Sequence, residues 1–238
     1  MEKFKVLLIG LGRIATKLEN DALRYKPCTH AGALLGGRAG GYFEITGIYD
    51  TNPENEACFK RQWPALGNIQ QGGIASGYDL AVIASNSESH YANALEAVEK
   101  GIRALVIEKP VTLKRAEAEH LYRLKKELGV KIWVNHERRY HPLYKKAREI
   151  YQSSVYGKPK TIRASVLTGP MKETAREYIS PLLHDGTHAV DFIQWLAGNP
   201  VSVYSRSFKS DAKLEVSDQT IAVLHYPEGV NVFLKRGG

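Results

Sequence analysis

A chain of 238 residues, 43% hydrophobic and 24% charged, is long enough to bury a sizeable core and too ordinary in composition to be disordered or collagen-like. No apolar run reaches bilayer-spanning length, and the N-terminus lacks the apolar stretch and cleavage site of a signal peptide. Two cysteines, Cys28 and Cys58, make no disulfide framework, so a soluble protein of the reducing cytoplasm is expected. The formal charge of +8 suggests an anionic partner. No basic tail or nucleic-acid motif accompanies it, so nucleic acid is not expected. The densest basic stretch, Arg138 to Arg148, reads either as a solvated helix face or as a contact to a phosphate-bearing cofactor or substrate.

In chain order, Val6–Ile9 is a continuous apolar run ending in glycine, the pattern of a strand buried on both faces. A helical pattern follows from Ile14. Phe43–Tyr49 is a second strand, and Asn52-Pro53 opens a second helix. Leu80–Ala84, Ala104–Ile107 and Lys131–Val134 are further strands, with helices over Tyr91–Lys100 and about 113–128 between them. This alternation predicts a doubly wound parallel sheet. Beyond it come a helix over 142–151, a strand over 161–167, and a helix over about 182–196 closed by Gly198 and Pro200. Three strand-like runs then follow without intervening helices, at 201–208, 220–226 and 230–234, with Pro227-Glu228-Gly229 as a hairpin turn. We therefore predict an α/β chain of two domains: a dinucleotide-binding Rossmann domain over 1–134 and a second α/β domain over 135–238 with a mostly antiparallel open sheet. Gly36–Gly41 reads as a flexible loop.

Gly10-Leu11-Gly12-Arg13-Ile14-Ala15 fits GxGxxG/A in the required strand–turn–helix context. Gly10 permits the tight turn, Gly12 lets the backbone approach a pyrophosphate, and Ala15 keeps the helix close to the strand. The helix start then offers free N–H groups to the phosphates. Asp50, at the end of the second strand, is placed to accept from the adenosine ribose, which favours NAD over NADP. It lies 38 residues after Gly12 rather than the usual spacing of about 20. A loop inserted over 26–41 would account for the excess.

Further motifs follow the later strands. They are Ser85-Asn86-Ser87-Glu88-Ser89-His90, Glu108-Lys109-Pro110, Asn135-His136-Glu137-Arg138-Arg139-Tyr140-His141-Pro142, and His184-Asp185-Gly186-Thr187-His188-Ala189-Val190-Asp191. In this order the chain resembles the Gfo/Idh/MocA family of NAD(P)-dependent oxidoreductases. The resemblance implies a Rossmann domain followed by an open-sheet domain, further copies of the chain as partners, and a sugar, sugar nucleotide or polyol as substrate. It implies that Lys109 lies by the nicotinamide and the substrate hydroxyl, with Glu108 near the cofactor ribose. It places Ser85 through His90 along the cofactor and His188 as the acid–base. The chain departs from the family pattern in several ways. His184 stands where the family has an aspartate, Asp185 comes one residue later, and Asn86 replaces a proline. The glycine run before the histidine motif becomes Ile179-Ser180-Pro181, and the second sheet reads as shortened.

Alcohol oxidation needs a hydride acceptor, supplied by nicotinamide, and a base near neutrality. His188 suits that base; Lys109 serves as a base if its pKa is lowered, or as a cation steadying an alkoxide. On one helix His184, His188 and Asp191 share a face, and Asp185 is placed to orient His188. His184-x-x-x-His188 also has metal-ligand spacing, although no HExxH glutamate follows it, and no metal is expected. His188 alone reads equally as an ordinary helix histidine, and Asp191 as a structural acceptor. His30 reads as a loop or cap residue. Arg138 and Arg139 either grip a substrate carboxylate or phosphate or form surface ion pairs, and Tyr140 either packs or touches substrate. Two other readings remain open: a non-catalytic dinucleotide sensor or accessory protein, and a reductase of another class, such as imines or linear tetrapyrroles.

Overall fold

The structure, a computed structural model, describes residues 2–36, 39–67, 69–167 and 181–237. Of the two sequence features above that touch other residues, Gly37 and Arg38 in the glycine-rich loop, and Ile179 and Ser180, lie outside the described residues. The chain divides into two compact units, Met1–Asn135 and His136–Gly238.

In the first unit five parallel strands, β1 (Phe4–Ile9), β2 (Phe43–Tyr49), β3 (Leu80–Ile83), β4 (Ala104–Ile107) and β5 (Lys131–Val134), form a sheet in the order β2-β1-β3-β4-β5. The order reverses between β1 and β3, the switch point at which such sheets bind ligands. Alternate residues of β1 enter opposite layers. Leu7 and Ile9 pack with Ala94, Ala97 and Leu121 of α3 (His90–Glu99) and α4 (Arg115–Glu127). Val6 and Leu8 pack with Ala31, Leu34 and Phe59 of α1 (His30–Leu35) and α2 (Pro53–Gln62). Burial on both faces is why these strands read as unbroken apolar runs.

The helix expected from Ile14 is not a regular α-helix. After Gly12 the chain makes one turn and a short 3-10 segment, Lys17–Asn20, then leaves on an excursion. It returns at α1, whose first amides, His30 N and Ala31 N, donate to the carbonyls of Ile14 (3.1 Å) and Ala15 (2.9 Å). In an unbroken helix residues 18 and 19 would fill those positions. The ladder thus resumes twelve residues late, and the chain between is an insertion within the first helix. This corrects the expected inserted loop over 26–41, a range that contains α1 itself. Thr29 caps the resumed helix, accepting from Gly32 N at 3.0 Å.

In the second unit, β6 (Thr161–Leu167), β7 (Ser202–Phe208), β8 (Gln219–His225) and β9 (Asn231–Gly237) form a sheet in the order β6-β9-β8-β7. β6 and β9 are parallel and the other pairs antiparallel. Ala222, Leu224, Val232 and Leu234 bury one face against Ile193 and Ala189, while Ile221, Phe233 and Tyr204 on the other face are exposed. Among the described residues the unit also holds the helices α5 (Pro142–Ser153), α6 (Pro181–His184) and α7 (Gly186–Ala197). The single helix expected over 182–196 is therefore broken at Asp185. An Asp-Gly pair is a poor helix interior, because Asp competes for backbone groups and Gly costs backbone entropy. Among the described residues no helix is long and apolar enough to cross a membrane.

Candidate nucleotide and acid–base sites

The glycine turn is shaped by close approach. Gly10 has φ +83°, and a Cβ there would lie 2.4 Å from the backbone nitrogen of Ser85. The turn also presents donors. The amides of Gly12, Arg13, Ile14 and Ala15 donate to no protein group among the described residues. The Arg13 and Ile14 side chains point to solvent, so these positions act through the backbone. Four successive amides without protein acceptors are a ready anion cradle, and no Cβ of Gly12 obstructs it.

A cavity of about 280 Å³ opens beside this turn, lined by Gly10, Gly12, Asp50, Asn55, Ser85 and Asn93 among others. Nothing lies within 4 Å of where a Gly12 Cβ would sit, so a side chain there would take up ligand space. Asp50 follows β2 as expected. Its Oδ2 accepts from Leu11 N at 2.7 Å, and its Oδ1 accepts from Asn52 N at 2.8 Å and Asn55 Nδ2 at 3.1 Å. A carboxylate oxygen offers two lone pairs, so Oδ1 is saturated and Oδ2 keeps one acceptor position for a ribose hydroxyl. Lys17 Nζ donates to Asn55 Oδ1 at 2.7 Å, which fixes the orientation of that amide. Amides, open space and an acid at the switch point together fit a dinucleotide.

At the ends of β3 and β4 some of the expected cofactor residues line the cavity and others are bonded within the protein. Ser85 lines the cavity, as do Asn86 and Ser89, but His90 does not. His90 is 1% exposed. Its Nδ1 lies 2.8 Å from the Pro110 carbonyl oxygen and its Nε2 lies 3.0 Å from the Ser85 carbonyl oxygen. Glu108, expected by the cofactor ribose, is buried in a protein knot. Its Oε1 meets His30 Nε2 at 2.8 Å and Asn135 Nδ2 at 2.6 Å, and its Oε2 accepts from Lys109 N at 3.3 Å. Burial works to raise its pKa. The hydrogen bonds from His30 and Asn135 outweigh that and hold the carboxyl below the ordinary carboxylate range. Lys109 is half-buried at the head of the Lys109–Pro110 segment, whose peptide bond is cis. His30 escaped sequence reasoning because its partner is 78 residues away. Thr29 preceding an Ala- and Leu-rich run was the available signal that a helix starts there.

In the second unit Asp185 Oδ1 pairs with His184 Nδ1 at 2.9 Å, so its carboxylate is directed to His184 rather than His188. The carboxylate beside His188 Nδ1 is that of Glu137, at 3.7 Å. His188 is 8% exposed on α7, and the ring of His136 stands edge-on to it at 5.8 Å. The break at Asp185 takes His184 off the helix that carries His188. Asp191 is the structural acceptor. Arg139 grips it through Nε (2.8 Å) and Nη2 (2.6 Å), and the guanidinium lies over Trp195. Arg139, expected to reach substrate, is thus committed within the protein. Arg138 is partly exposed with Glu137 at 3.9 Å, and Tyr140 is exposed near Lys145. Among the described residues no three His, Cys, Asp or Glu side chains converge to hold a metal ion.

Residues 4–136 match the family model described as GFO_IDH_MocA, an oxidoreductase family with an NAD-binding Rossmann fold, and residues 144–236 match a GFO/IDH/MocA C-terminal domain. A relative named UDP-N-acetylglucosamine 3-dehydrogenase, from Acidithiobacillus ferrooxidans, is 25% identical over 175 residues, 73% of this chain and 54% of its own length. Bacillus subtilis YteT is 21% identical over 182 residues, 69% of this chain and 42% of its own. The chain therefore spans about half the length of these curated relatives. Among solved structures, the WlbA dehydrogenase of Bordetella pertussis, crystallised with NADH and UDP-GlcNAcA, superposes with TM-score 0.83 at 22% identity, covering 99% of this chain and 72% of that one. An Agrobacterium radiobacter oxidoreductase in complex with NAD+, L-tartaric acid and magnesium gives 0.77 at 18% identity, covering 99% and 67%. With a family match over more than half its length and a parallel sheet that carries the matching nucleotide turn, the chain belongs to the Gfo/Idh/MocA oxidoreductase family, and its first unit is that family's NAD-binding Rossmann fold.

Proposed function

We propose that the protein is an NAD-dependent oxidoreductase acting on a hydroxyl or ketone of a sugar nucleotide, a sugar or a polyol. The observation that carries this reading is the set of four amides at Gly12–Ala15 that meet no acceptor among the described residues, beside Asp50, in a chain of an oxidoreductase family. The relatives named or crystallised with UDP-sugars support a sugar nucleotide as substrate.

When bound, the nicotinamide supplies the hydride acceptor or donor. The residues of the chain do the rest. The Gly12–Ala15 amides hold the pyrophosphate. Asp50 takes one ribose hydroxyl through Oδ2 and repels a 2′-phosphate, which selects NAD over NADP. Lys109 steadies the developing alkoxide, and His188 takes or returns the hydroxyl proton, with Glu137 the carboxylate nearest its Nδ1. The protein works in the cytoplasm as a homo-oligomer on a small molecule, not on nucleic acid.

The test supplies NAD+ with UDP-N-acetylglucosamine, its uronic acid and simple polyols, and follows NADH formation. Turnover with one of these, lost in Lys109→Ala and His188→Ala while NADH binding persists, supports the reading. NADH binding without turnover on any of them favours the sensor reading instead.

A further inference from the structure

His90 has no role in the reaction as proposed, yet it is among the most buried polar side chains of the first unit. Both its ring nitrogens are at hydrogen-bond distance from carbonyl oxygens, Pro110 at 2.8 Å and Ser85 at 3.0 Å. Carbonyl oxygens only accept. A neutral imidazole has one N–H and one bare nitrogen, so it can satisfy only one of them and turns a lone pair on the other. Both bonds form only when both nitrogens carry hydrogen.

The two carbonyls belong to the segments that matter most. Ser85 lines the nucleotide cavity, and its backbone is the surface against which Gly10 turns. Its hydroxyl also accepts from Asn93 and Ser89. Pro110 directly follows Lys109, and Glu108 on the same segment is anchored to His30 and Asn135. We propose that His90 is a positioning residue, a buried two-ended donor that fixes the Lys109–Pro110 segment at a set distance from the nucleotide turn. The ring is the only side chain, among the hydrogen bonds of the described residues, that reaches both segments. The ionisable residues on the joined segments are Glu88, which is exposed, on one side, and Glu108 and Lys109 on the other.

The consequence of the clamp for catalysis rests on the role proposed for Lys109; the clamp itself does not. The first measurement is therefore made on the unsubstituted full chain. Through-bond ¹⁵N spectra with histidine labelled should show hydrogen on both His90 nitrogens at neutral pH, both slow to exchange with solvent. A bare nitrogen at His90 overturns the proposal. The second measurement is NADH affinity in His90→Phe and His90→Gln. Phe keeps the ring volume and loses both bonds, and should weaken NADH by about tenfold, the scale of one or two lost hydrogen bonds. Gln, with two hydrogens on one amide nitrogen, should recover part of that loss. A His90→Phe variant that melts lower yet binds NADH as the unsubstituted chain does assigns His90 to stability alone and contradicts the positioning role. If the unsubstituted chain binds no NADH, the proposed function fails, while the ring spectra still decide the clamp.

Discussion

The two units build their polar machinery in opposite ways. In the first, the nucleotide turn is made of backbone: amides from Gly12 to Ala15, and a glycine whose Cβ would collide with Ser85. The Asp50 carboxylate braces that backbone by accepting from Leu11 N. In the second, the machinery is made of side chains brought together from a 3-10 turn and a helix, as in Arg139 on Asp191 and Glu137 beside His188. A backbone site tolerates change around it but not at its glycines. In a side-chain cluster the members hold one another in place, as Arg139 and Asp191 do.

Four substitutions test that contrast. The largest effect should come from Gly10→Ala. It adds a Cβ into the Ser85 backbone at a positive φ, and overpacking with backbone strain costs about 3 kcal/mol or more. Chemical denaturation should show that loss, and NADH binding should vanish with it.

Next comes Asp191→Asn in the second unit, which leaves the Arg139 guanidinium without its bidentate partner. Arg139 is partly exposed, so about 1–2 kcal/mol is expected. A double-mutant cycle with Arg139→Met should return most of that as coupling between the two.

Glu108→Gln is expected to cost about 1–2 kcal/mol at neutral pH. It should also change the acid limb of stability. The folded carboxyl is held below its ordinary value near 4.5, so its contribution is present above that value and is lost as pH falls through the lower folded value. Unfolding measured against pH should therefore show a shallower acid loss in the Gln variant. An unchanged slope would mean that His30 and Asn135 do not favour the ionised form.

The smallest effect belongs to Arg138→Ala. Its ion pair with Glu137 is 3.9 Å long and solvent-exposed, so the change should stay within about 0.5 kcal/mol.

What was legible in the sequence follows the same division. The strands β1, β3 and β4 read as apolar runs because both faces are buried, and GxGxxA read as a nucleotide turn because only glycine fits the backbone at Gly10. The position of Asp50 after β2 was legible because the strand pattern ends directly before it. The insertion in the first helix was misplaced, since a resumed hydrogen-bond ladder between Ala15 and Ala31 has no local signature. His90 carried a motif, yet its two carbonyl partners are backbone atoms whose positions no side-chain pattern reports. Arg139 could not be paired with Asp191 from sequence, because the partners are 52 residues apart and opposite charge alone names no partner. The break at Asp185, by contrast, had a local cause in Asp-Gly and was readable.

We propose above that the Gly12–Ala15 amides and Asp50 form a working NAD cradle. The most direct test is calorimetric titration of nucleotide-free protein with NADH and with NADPH, repeated on Asp50→Ser. NADH should bind the unsubstituted chain more tightly than NADPH, and Asp50→Ser should narrow the gap by weakening NADH and admitting NADPH. No binding of either nucleotide, or a preference for NADPH that Asp50→Ser leaves unchanged, would contradict it.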